Sequence, residues 1–233
     1  RYGPLGGTQA LGSLPSHSSL KGLQEAAYHP MTIFGPYLCV GNGRYIATWD
    51  GTTLDDDAVD TERGWQVRSL AVFGDYLAIG TWKGGAVDTA TEGRVYFWDG
   101  TATNWNFFTD VSAGAVQALF VHEGDLLVWA GPESELYGIA SPGSSPIKIK
   151  KVPNIEIGGT AEVYPGALAN WRGVPYFGFP SSGTATTPQK GVYSFGSRNR
   201  NFPSAMNLDF KISSGSVGSP TTYVTALAAH GPN

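Results

Sequence analysis

Gly93-Arg94-Val95-Tyr96-Phe97-Trp98-Asp99-Gly100 decides how this chain is read, because a near copy stands earlier at Gly43-Arg44-Tyr45-Ile46-Ala47-Thr48-Trp49-Asp50-Gly51. A second phrase precedes each copy: Phe73-Gly74-Asp75-Tyr76-Leu77 before the first, Phe34-Gly35-Pro36-Tyr37-Leu38 before the other. Self-similarity at a period of roughly 40–60 residues marks a repeat architecture, in which each unit buries its apolar faces against its neighbours.

The unit around the first phrase reads as four strands. Val67 to Phe73 alternates, and Gly74-Asp75 is a turn. Tyr76 to Trp82 is a mostly apolar run, as a strand covered on both faces requires. A polar, Gly-rich loop spans Lys83 to Glu92. Arg94 to Trp98 is a third strand, Asp99-Gly100 is expected to close it as a hairpin turn, and Asn104 to Phe107 is a fourth. Four antiparallel strands per unit is the content of a propeller blade.

The remaining units keep this grammar. Blade one places Thr48-Trp49-Asp50-Gly51 in the third-strand slot. Blade three opens at Ala118 to His122 and continues through Leu126 to Ala130 and Glu135 to Ala140, with Ser141-Pro142-Gly143 as its turn. Blade four runs from Ala167 through Tyr176-Phe177-Gly178-Phe179 to Gly191 to Phe195. The expected fold is an all-β β-propeller, with blades at about 31–66, 67–114, 115–163 and 164–221 and the start of a fifth at 222–233. The Tyr223 to Gly231 strand either closes the ring by pairing with N-terminal residues or opens a blade of a longer chain, and the second is the expectation favoured. Residues 1–30 fit no blade and read as an extended tail, with a helical turn or two at Leu20 to Ala27. Trp49, Trp98 and Phe195 are expected to fill the gaps between blades.

Composition narrows the function. The 233 residues are 15% charged and include 32 Gly, which suits short strands joined by tight turns. A net charge of -4 gives no electrostatic case for nucleic acid or anionic membranes. No apolar run approaches the roughly 20 residues of a membrane span. Cys39 is the single cysteine and sits in an apolar run, so it reads as a small buried hydrophobe.

The units resemble degenerate repeats of the kelch, galactose-oxidase and WD-repeat superfamily of propellers. The resemblance covers roughly residues 31 to 231 and rests on Trp-Asp-Gly after an alternating aromatic strand. The Gly-His opening of WD blades, the kelch double glycine and the sialidase Asp-box are missing. Loose propellers of this texture are similar to those in phage tail and other virion proteins and in bacterial surface proteins. A shared fold does not determine function.

Several residues stand out as candidates. Trp82, Trp129 and Trp171 are candidate recognition aromatics, with inter-blade packing as the alternative. His122 and His230 occupy neighbouring slots after the first strands of two blades and could line a central pocket. Asp55, Asp57, Asp60 and Glu62 are the candidate Ca²⁺ ligands, although their spacing misses the EF-hand pattern and a solvated loop is expected. No nucleophile signature or phosphate loop occurs, and no carboxylate pair is singled out. The sequence therefore favours a non-enzymatic structural or interaction module in a larger assembly, a phage tail or fibre above others. Its partners would be protein subunits or glycans, in a virion or outside the cell. The alternative is a secreted carbohydrate-active propeller, lectin or glycosidase.

Overall fold

Sixteen strands make up the regular structure of the described residues. The computed structural model describes residue 21 and residues 28–84, 90, 92–112, 114–131, 135–151, 167–172, 174–179, 191–194 and 207–211. The strands form four sheets of four, each an antiparallel meander in chain order. Sheet one contains β1 (Met31–Phe34), β2 (Tyr37–Asn42), β3 (Tyr45–Trp49) and β4 (Leu54–Asp60). Sheet two contains β5 (Trp65–Phe73), β6 (Tyr76–Lys83), β7 (Glu92–Trp98) and β8 (Phe107–Val111). Sheet three contains β9 (Val116–His122), β10 (Asp125–Ala130), β11 (Glu135–Ile139) and β12 (Ile147–Lys151). Sheet four contains β13 (Ala167–Trp171), β14 (Val174–Phe179), β15 (Gly191–Ser194) and β16 (Asn207–Lys211). Inner strands of neighbouring blades meet: β1 touches β5, β5 touches β9, and β9 touches β14, the second strand of sheet four. The sheets are the blades of a β-propeller.

Strand alternation explains why the second strands are apolar throughout. Successive side chains of β6 point to opposite faces. Leu77 and Ile79 join Cys39, Ile46, Val59, Tyr96 and Trp98 in the seam between blades one and two. Ala78 points the other way, into the seam with blade three, beside Val95, Phe97, Leu119 and Val128. Small residues let the next blade approach. A Cβ on Gly80 would lie 2.5 Å from Val116 Cγ1, and one on Gly41 would lie 2.8 Å from Val67 Cγ1. The hairpin registers place Trp129 in the same slot of blade three. Its ring instead fills the seam with blade four, 5.5 Å from Phe177.

Three sequence expectations change. First, Asp50-Gly51 and Asp99-Gly100 are not two-residue hairpin turns. The β7–β8 connection runs from Asp99 to Asn106, so the fourth strand is Phe107–Val111 and not Asn104 to Phe107, and the β3–β4 connection runs from Asp50 to Thr53. Each aspartate acts as an acceptor that organises a longer loop. Asp50 Oδ1 takes hydrogen bonds from Thr52 N at 2.8 Å and Thr53 N at 2.7 Å. Asp99 Oδ1 takes them from Thr101 N at 2.8 Å and Ala102 N at 2.9 Å, and Asn106 Nδ2 donates to Asp99 Oδ2 at 2.8 Å. The glycine is still required, because Gly100 has φ +84°.

Second, the acidic run Leu54 to Asp60 is an outer strand and not a loop. Its partner is β3 on one side only, so its carboxylates reach water while its backbone completes the sheet. Charges on such an edge also discourage pairing with another chain. Blade one thus ends at Asp60, and Trp65 and Gln66 already belong to blade two. Third, Trp49 fills no seam among the described residues. It is half-buried on the face of blade one turned away from blade two, beside Leu38 and the exposed Met31 and Ile33. Phe195 and the Tyr223 unit lie outside the described residues, as does most of the tail. Tyr28 to Pro30 lie along the first blades, where Pro30 O accepts a hydrogen bond from Gly41 N at 2.9 Å and Tyr28 meets Trp82 edge-on at 5.7 Å.

The loop aspartates make stability depend on acid. Hydrogen bonds from Thr101 N and Ala102 N hold the Asp99 carboxyl well below the usual carboxylate range, and those from Thr53 and Thr52 lower Asp50. A depressed native pKa stabilises the fold above the unfolded pKa, and that contribution disappears as pH falls through the native value. Asp99→Ala should therefore lower the melting temperature at pH 7. The gap from the parent protein should narrow as pH drops below about 4. Thermal melts of both proteins from pH 7 down to pH 2 check this; a gap independent of pH would contradict it.

Candidate functional site

The turn between blades one and two builds a surface pocket. Thr61 N and Thr61 Oγ1 both donate to Arg44 O, at 2.9 and 2.8 Å. Thr61 O accepts from the buried Tyr96 hydroxyl at 2.8 Å. Burial raises the Tyr96 pKa to about 12, so this donor keeps its proton at any physiological pH. Val67 N donates to Gly43 O at 2.7 Å, which ties β5 to the β2–β3 turn. The chain reverses through Glu62 at φ +78° and Gly64 at φ +91°. Glu62 tolerates this conformation because its N–H donates to Asp60 Oδ1 at 2.9 Å and its carboxylate lies 3.6 Å from Arg94 Nη1.

A solvent-open pocket of about 420 Å³ results, lined by Lys21, Gly43, Arg44, Tyr45, Arg63, Gly64, Trp65 and Gln66. Cations crowd its aromatic walls. Lys21 Nζ and Arg44 Cζ each lie 4.7 Å from the Tyr45 ring centre. Arg94 and Lys83 approach Trp65 from outside the pocket, at 4.6 and 5.5 Å. Four nearby carboxylates are already engaged. Asp57 pairs with Lys21, Asp60 with Arg44 at 3.0 Å, Glu92 with Lys83 at 3.3 Å, and Asp110 with Arg94 at 2.7 Å. Although desolvation opposes the charge on Arg94, its hydrogen bonds to Asp110 and Tyr96 raise its pKa. Arg63 differs: it is exposed, and among the described residues its guanidinium has no ion pair or hydrogen bond. The Gln66 carboxamide and the Tyr45 hydroxyl likewise have no hydrogen bond there.

The residues singled out by sequence fall elsewhere. Trp82 and Trp129 are 3% and 1% exposed, so neither ring is presented to solvent. Trp171 is 42% exposed, with Arg172 Cζ 5.0 Å above its ring. It stands on the rim of the β9–β10 and β13–β14 turns, opposite the pocket. His122 lies on that rim too but is 5% exposed, and its Nε2 is 4.0 Å from Glu123 Oε1. His230 lies outside the described residues. Asp55, Asp56 and Asp57 place a carboxylate oxygen each within 4.8 Å of one another. Asp60 and Glu62 are not in that group and point to Arg44 and Arg94 instead. The Cys39 thiol is fully buried, and burial raises its pKa to about 11, so it stays protonated and unreactive. The pocket residues carry one readable signal: the Gly-Arg that opens both copies of the repeated phrase supplies Arg44 here and Arg94 next door.

No family model and no curated protein matches this chain. Solved structures do. A chain of the mitotic checkpoint complex is similar at 15% identity, covering 79% of this chain and 52% of that one, with a TM-score of 0.50. The β-propeller domain of Cps50 (Swd1) from Myceliophteria thermophila is similar at 10% identity, covering 76% and 57%, with a TM-score of 0.50. A protein of unknown function from Bacteroides caccae shares 9% identity, covering 77% and 60%, with a TM-score of 0.49. The chain therefore spans between 52% and 60% of the length of these structures. At such identities the likeness concerns the fold, and the fold is a β-propeller.

Proposed function

We propose that this β-propeller is a non-enzymatic interaction module of a larger assembly, and that the rim between blades one and two is a contact surface. A virion such as a phage tail or fibre is the assembly that its sequence texture suits. The observation that carries the reading is the division of labour at the rim pocket. Groups suited to recognition line the pocket: the Arg63 guanidinium is exposed, and among the described residues it, the Gln66 carboxamide and the Tyr45 hydroxyl have no hydrogen-bond partner. The neighbouring acids Asp57, Asp60 and Glu62 are each held by a cation. Glycoside hydrolysis needs two carboxyl groups free to exchange a proton or attack a sugar. Carboxylates engaged with Lys21, Arg44 and Arg94 serve to position cations.

The expected result is copurification of the tagged protein with protein subunits of a defined particle, and no sugar release from glycoside substrates. Release of free sugar that is abolished by Asp57→Asn or Asp60→Asn would overturn this reading in favour of a carbohydrate-active enzyme.

A further inference from the structure

We infer that the blade-one/blade-two rim pocket binds a carboxylate-bearing sugar, of the uronic or sialic acid class, with Arg63 as its principal anion contact. The inference rests on the interaction reading above and names the partner's chemistry. Charge is the first argument. The protein carries a net charge of -4, yet Lys21, Arg44 and Arg63 all line this pocket. Asp57 and Asp60 neutralise the first two, and no described carboxylate pairs with Arg63. The Arg44 Nε is buried without a hydrogen-bond partner. A guanidinium presents parallel N–H donors that match a planar carboxylate.

Shape is the second argument. The pocket holds about 420 Å³ and is closed off on two sides by the Gly43-Arg44 turn and the Thr61 to Gly64 turn. That volume suits one or two sugar rings and lies at the small end of ligand sites, roughly 300–1,000 Å³. The Gln66 carboxamide both donates and accepts, as does the Tyr45 hydroxyl, and these are the groups that pair with ring hydroxyls. A uronic acid supplies both the anion and the hydroxyls from one compact ring, which a pocket of this volume holds.

The test uses the full chain and defined probes. Glucuronic acid, glucose and a Glu-rich peptide are titrated, following intrinsic tryptophan fluorescence and calorimetry. Glucuronic acid is expected to bind at least about tenfold more tightly than glucose and to weaken with added salt, as a charge-assisted contact must. Arg63→Ala should lower its affinity by about tenfold or more, with the melting temperature unchanged because the side chain is exposed. Gln66→Ala should weaken both sugars alike. Equal affinity for glucose and glucuronic acid, no binding of either, or indifference to Arg63→Ala would overturn the assignment. Binding of the peptide alone would also overturn it. Particle copurification without sugar binding would remove the sugar while leaving the interaction module in place; hydrolysis of the sugar would remove the module itself.

Discussion

Gly93→Ala is expected to be the most damaging single-methyl change in the described blades. A Cβ at this position would lie 1.8 Å from Gly114 O and 2.6 Å from Gly114 C. The obstacle is backbone, so no rotamer change can relieve it. Gly93 is the second residue of the third strand of blade two, and Gly114, at φ +100°, lies in the link to blade three. Relief therefore means prising two blades apart along a seam that also contains Val95, Phe97, Val116 and Leu119. Overpacking ordinarily costs about 1–3 kcal/mol, and a clash with fixed backbone should cost at least about 3. For a domain of this size that lowers the melting temperature by roughly 6–12 °C or more, or leaves no soluble protein. Circular dichroism melts of parent and variant are sufficient; a midpoint within about 1 °C of the parent would mean that the seam is not as tight as described.

The second large effect separates two tryptophans that sequence makes equivalent. Trp98 is 4% exposed, lies 6.0 Å from Phe34 and 6.2 Å from Tyr37, and its Nε1 donates to Ala102 O at 2.9 Å. Trp98→Ala would empty the seam between blades one and two and orphan that carbonyl, at a cost of about 3–5 kcal/mol. Trp49 occupies the same slot of the repeat but faces away from blade two, and no described blade covers it. Trp49→Ala should cost about 1–2 kcal/mol, the transfer of a half-buried ring without a cavity. Urea unfolding of both variants measures the difference. Equal losses would show that both faces of blade one are packed alike.

How much of this was readable beforehand depends on which face of a blade is considered. Second strands such as Tyr76 to Lys83 announce themselves because both of their faces are dry, so composition alone marks them. The repeated phrases then order the blades. Outer strands are hidden for the opposite reason: Leu54–Asp60 and Ile147–Lys151 carry the polarity of loops, and only pairing with β3 and β11 makes them strands. The Asp-Gly pairs suggested short hairpins, since a local rule cannot tell whether the aspartate supplies a backbone angle or an acceptor for residues further on. The burial of Trp82 and Trp129 depends on Tyr28 and Phe177, which are far away in sequence. The rim pocket was invisible because its cations come from three separate segments, and only blade stacking brings Lys21, Arg44 and Arg63 together.

The turn that carries Arg63 is pinned on both sides, by the hydrogen bonds of Thr61 to Arg44 and of Trp65 N to Glu62 O at 3.3 Å. Its backbone surrenders its freedom when the chain folds. A partner that meets Arg63 has only a side chain to immobilise, so little ordering opposes the encounter. Contact there should form and break quickly, with the stiffness of the blades set in advance and only the tip of one arginine left to settle.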